Sequence, residues 1–142
     1  MLSRAVRALR SLPAVRAAAL VLGTAGAAAA DRVGPAEFER LTEGRVLTFF
    51  VDEAPYGAEA YLPGREVIWQ NAAGACLFGR WEGRGEDICF TYDDAPEETV
   101  CWAVERDAEG LTAAMVGDPL GLRLRFGPER PQALVCEPDP GT

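Results

Sequence analysis

The stretch DICFTYDDAPEETVCWAVE, residues 87–105, holds two short apolar runs, each with a cysteine, on either side of an acidic loop. In the first run Ile88, Phe90 and Tyr92 alternate with Cys89 and Thr91. In the second Val100, Trp102 and Val104 alternate with Cys101 and Ala103. A period of two is that of half-buried strands. The apolar faces coincide only in registers of one parity, because a one-residue slip turns every side chain over. Pairing Ile88 with Trp102 and Phe90 with Val100 closes the hairpin tightly around DDAPEE, and it sets Cys89 opposite Cys101. Directly opposed β-carbons lie about 4.5–5.5 Å apart, within reach of a disulfide after slight adjustment.

The same period extends in both directions. Strands are read at RVLTFFV (45–51), AEAYL (58–62), REVIWQ (65–70), CLFGRW (76–81), LTAAMV (111–116) and LRLRFG (122–127), with a weaker one at QALVC (132–136). Glycine-, proline- and asparagine-rich turns separate most of them, and no segment between them is long enough for a helical crossover. The expected fold is mainly β, an antiparallel meander forming a small barrel or a strongly curled sheet. One short helix precedes it: VGPAEFERLTEG (33–44) has Pro35 near the first turn, Phe38 and Leu41 three apart, and Gly44 as a stop.

In CLFGRW, Leu77, Gly79 and Trp81 face inward, so Cys76 lies on the outer face and Cys136 remains as its candidate partner. Four cysteines in a small exported domain, with no C-x-x-C and no histidine anywhere, describe a disulfide framework rather than a redox or zinc site. Of three connectivities, Cys89–Cys101 with Cys76–Cys136 is favoured. By loop entropy the first contributes about 3 kcal/mol and the second about 4.

Export is read from the beginning of the chain. Residues 1–16 carry Arg4, Arg7, Arg10 and Arg16 and no acid, and an apolar run follows that ends in small side chains, Ala28-Ala29-Ala30. This describes a secretory signal peptide, residues 1–30, cleaved before Asp31; the apolar run falls short of the roughly 20 residues that span a bilayer. Without an adjacent arginine pair the general secretory route is expected. A single domain over 31–136 and a flexible tail over 137–142 remain, and the expected location is the periplasm or beyond.

The mature chain has ten arginines against 22 acids, a formal charge of −12. That sign disfavours nucleic acid and anionic membrane surfaces and favours basic partners or cations. After residue 30 there is no histidine, lysine or serine, which removes the usual nucleophile–base pairs and the commonest metal ligand. A non-enzyme is expected, with no cofactor. A hydrolase using the clustered carboxylates Asp93, Asp94, Glu97 and Glu98 remains the formal alternative, and the same four are weak candidates for a cation site. The aromatics Tyr61, Trp69, Trp81 and Trp102 fall at strand positions. They serve as core filling, or they line a ligand cavity if the sheet closes around one.

The succession PAEFERLTEGRVLTF, PYGAEAYLPGREVIW, GRWEGRGEDICFTYDD and CWAV, with a late single cysteine, resembles a family of small exported alphaproteobacterial proteins that is a domain of unknown function. The resemblance covers roughly residues 35–136, and its most specific elements are YLPGR and the spaced W, ICF, Y and CW. It implies export, an all-β domain and paired cysteines, and no activity. The residues themselves leave two expectations open: a periplasmic binding or interaction module for a small apolar ligand, or an acidic inhibitor of a basic extracytoplasmic enzyme such as a lysozyme, steered by the charge of −12.

Overall fold

The computed structural model describes residues 30–136. Residues 1–29 of the expected leader (1–30) and the expected tail over 137–142 lie outside the described residues. A short strand β1 (Asp31–Arg32) leads into helix α1 (Pro35–Thr42), and eight strands follow: β2 (Val46–Val51), β3 (Ala54–Tyr61), β4 (Glu66–Asn71), β5 (Cys76–Arg84), β6 (Asp87–Tyr92), β7 (Thr99–Asp107), β8 (Gly110–Met115) and β9 (Arg123–Glu129). Each of β2 to β9 pairs antiparallel with the next, and β9 returns to pair with β2. The sheet is therefore a closed eight-stranded up-and-down barrel, with β1 added beside β7. Closure satisfies the edge hydrogen-bonding groups that a curled open sheet would expose.

The hairpin register is the expected one: Ile88 faces Trp102, Cys89 faces Cys101 and Phe90 faces Val100. Both disulfides form as expected, Cys89–Cys101 and Cys76–Cys136. The expected strand at 132–136 does not form. After β9 the chain leaves the sheet at Arg130, whose N–H donates to the Val46 carbonyl at 2.7 Å. It then runs back as a strap to the β4–β5 hairpin, where Gln70 Nε2 donates to the Val135 carbonyl at 2.6 Å and Cys136 bonds Cys76. With β2 already paired on both sides, no free edge is left for a ninth barrel strand to join.

Helix α1 closes one end. Pro35 occupies its first turn, where a missing N–H costs nothing. Phe38, 1% exposed, drops into the barrel and meets Trp81, Tyr61 and Phe90 edge-on at centroid distances of 5.1, 5.6 and 6.4 Å. Gly44, with φ +78°, turns the chain out of the helix and donates its N–H to the Tyr61 carbonyl. A 3₁₀ turn (Pro63–Arg65) clamps the plug from the β3–β4 connection. There Arg65 forms two hydrogen bonds to Glu39, 3.0 and 3.1 Å, and lies over the Trp81 ring at 4.6 Å.

Candidate functional site

Inside the barrel lies a cavity of about 210 Å³. Its floor is Phe38 with the buried residues Tyr61, Phe90 and Val104, at the plugged end. Toward the other end the lining residues become half-exposed: Trp69, Leu77, Trp102 and Met115, and finally Tyr56 at 41%. These sit at the end of β4, the start of β5, near the start of β7, the end of β8 and the start of β3, which up-and-down topology brings to one rim. The cavity is thus closed by the helix and open opposite it.

Two local irregularities shape the mouth. Phe49 pairs with Gly57 but Phe50 with Pro55, so Tyr56 is the extra residue of a bulge. The bulge turns its ring onto Trp69, 5.6 Å away. At Gly57 a β-carbon would stand 2.5 Å from Trp69 Cζ2, so the missing side chain is what lets the indole lie across β3. Phe49 then bridges Trp69 at 5.7 Å and Phe126 at 4.8 Å, completing an aromatic wall.

One charged side chain interrupts this wall. Glu59 shares the inward face of β3 with Tyr61, is 3% exposed and stands between Leu47 and Trp69 on the neighbouring strands. Tyr61 donates its hydroxyl to Glu59 Oε2 at 2.9 Å, and Tyr92 donates from β6 to Oε1 at 2.8 Å. Burial pushes the Glu59 carboxyl up to about 7, against the opposing pull of the two hydroxyls. Burial, followed by the adjacent carboxylate, raises both tyrosines above their usual range. Among the described residues no ion pair involves Glu59. Chemically the group is a buried carboxyl able to hold or release a proton near neutrality, and no nucleophile of the serine, histidine or lysine kind stands in the domain beside it.

Three of the four aromatics singled out in the sequence, Tyr61, Trp69 and Trp102, line the cavity. Trp81 does not. It lies beyond Phe38, between the helix and Arg65, because α1 occupies the space its ring would otherwise face. Asp93, Asp94, Glu97 and Glu98 are exposed on the β6–β7 loop, and among the described residues no group of three or more acids or cysteines is placed to hold a metal ion. These four do share the mouth with others: the turns 52–53, 72–75, 93–98 and 116–122 carry seven carboxylates and no arginine. Glu59 itself was missed in the sequence, although period-two alternation from the inward Tyr61 puts it on the same face.

Among the described residues no helix is long and apolar enough to cross a membrane. The outer wall bears Arg80, Glu82, Glu105, Arg123 and Arg125, where a transmembrane barrel would carry an apolar band. Fold and site define a small up-and-down β-barrel, plugged by a helix and open to an aromatic cavity. Among known proteins, the chain matches no family model, no curated protein and no solved structure.

Proposed function

We propose that this chain is an exported, non-catalytic binding module that takes a small, largely apolar ligand into the barrel. The observation that carries this reading is the cavity, aromatic-walled, sealed by Phe38 at one end and open at the other. Its volume suits a single substituted ring, since an apolar cavity of about 150 Å³ already holds benzene. The two disulfides fit an oxidising compartment, here the periplasm reached by the general secretory route, with a mature chain beginning at Asp31.

A titration with single-ring aromatics of different charge, followed by tryptophan fluorescence and calorimetry, tests the reading. At least one should form a saturable one-to-one complex that is lost in Ala113→Phe, which fills the cavity from β8. If no compound binds, or Ala113→Phe binds as well as the unaltered protein, the cavity is core space and the reading fails. The carboxylate-rich mouth supports a second reading, an inhibitor of a basic extracytoplasmic enzyme. A salt-dependent complex with lysozyme that survives Ala113→Phe would favour it.

A further inference from the structure

We infer that the ligand is a small organic cation, an ammonium group on an apolar or single-ring body, whose charge pairs with Glu59; this rests on the reading of the barrel interior as a binding site.

Three features converge on positive charge. The first is Glu59 itself, a buried carboxyl inside the cavity with no ion pair among the described residues. A buried carboxylate is costly unless paired, and a neutral ligand supplies no pair. The second is the hydrogen-bond inventory at this polar patch. Tyr61 and Tyr92 both donate their hydroxyl hydrogens to Glu59. What the ionised patch still offers is acceptor capacity: the remaining lone pairs of the carboxylate and of the two phenol oxygens. An ammonium, with donors only, is its complement, and a carboxylate or phosphate is excluded. The third is the approach. The walls are lined by the aromatic rings of Tyr56, Trp69, Tyr92 and Trp102, a ring type whose faces attract cations. The turns around the mouth carry seven carboxylates and no arginine, which raises the local concentration of cations and repels anions.

The titratable groups facing Glu59 are Tyr61 from its own strand and Tyr92 from β6. Its neighbours on β2 and β4, Leu47 and Trp69, carry no charge. Tyr56 and Asp94 act on Tyr92 from the mouth. Since the carboxyl titrates at about 7, its availability as a counter-ion changes across the neutral range.

The test compares phenethylamine with n-propylbenzene, which replaces the ammonium by a methyl, using calorimetry on the oxidised protein. Phenethylamine stays protonated below about pH 9, as alkylamines do, so a pH dependence in that range reports on the protein. The expected result is tighter binding of phenethylamine than of n-propylbenzene at about pH 8.5, weakening at least about tenfold by about pH 5.5. In Glu59→Gln the phenethylamine affinity should fall at least about thirtyfold, as for a truncated buried charge pair, while n-propylbenzene binds no worse. Circular dichroism of the variant controls for folding, and Tyr92→Phe gives a second probe, moving the pH midpoint upward by removing one donor to the carboxylate. Equal or tighter binding of n-propylbenzene, or no effect of Glu59→Gln, overturns the cation inference and leaves the binding-module reading intact. Failure of both compounds to bind overturns the two together.

Discussion

Glu59→Gln should make the ligand-free protein more stable at alkaline pH and leave it unchanged in acid. The carboxyl stands at about 7 in the folded protein against 4.5 for an ordinary glutamate. An acid raised on folding binds its proton more tightly in the native state, so the stability it contributes is fully present below about pH 4.5 and is lost as pH rises through about 7. The displacement of about 2.5 pH units, at about 1.4 kcal/mol each, amounts to about 3 kcal/mol. Glutamine is isosteric with the protonated acid and satisfies both tyrosines, its carbonyl accepting from one hydroxyl and its amide donating to the other oxygen. Denaturant midpoints of the two proteins, with disulfides intact, should therefore coincide near pH 4.5 and diverge to about 3 kcal/mol near pH 8.5, or about 10 °C in Tm for a domain of this size. All other side chains are the same in the two proteins, so their contributions cancel in the difference. A difference that stays flat within about 0.5 kcal/mol from acid to alkaline pH would refute the burial argument for Glu59.

Removing Cys89–Cys101 by paired alanines should cost about 3 kcal/mol, whereas removing Cys76–Cys136 should cost less, although its loop is longer. The reason is that the strap over 130–136 can leave the barrel locally once untied and so regain entropy in the folded state; denaturant midpoints giving the opposite order would show the strap to be integral to the barrel. Phe38→Ala should lose about 3–5 kcal/mol and admit water at the plugged end, measured by thermal unfolding and by hydrogen exchange of the Tyr61 and Val104 amides. Gly57→Ala should displace the Trp69 indole and destabilise by about 1–3 kcal/mol, with a changed tryptophan emission; an unaltered spectrum would contradict the close approach at that position.

The barrel was legible because its strongest signal is parity. Two apolar faces that must meet fixed the register of the 87–105 hairpin, the register placed Cys89 opposite Cys101, and the remaining cysteines followed. What was not legible depends on where the chain goes next. QALVC has strand composition, yet it meets a sheet whose edges are already joined, and closure is a property of all eight strands together. The β3 strand begins four residues before the AEAYL segment, at Ala54, because Asp52 and Glu53 both adopt positive φ in the hairpin turn, a conformation usually signalled by glycine or asparagine. Trp81 reads as a cavity aromatic in the sequence because parity tells which face a side chain takes, not how far along the barrel axis a plug will reach.

Glu59 belongs to a different kind of miss. The alternation that turns Tyr61 inward also turns Glu59 inward, but an acid inside an apolar barrel contradicts the patterning rule, so patterning alone does not point to it. Such contradictions are where functional sites tend to lie. A glutamine would satisfy Tyr61 and Tyr92 equally well and without the charge, and a leucine would extend the aromatic wall. If Glu59→Gln gains stability at neutral pH, the carboxylate is held at the expense of stability in a cavity whose mouth is lined with further carboxylates. Pairing with a cationic ligand would return that stability in the complex. The same variant that measures the cost in the free protein, about 3 kcal/mol at alkaline pH, should therefore abolish the gain in Tm expected from phenethylamine on the unaltered barrel.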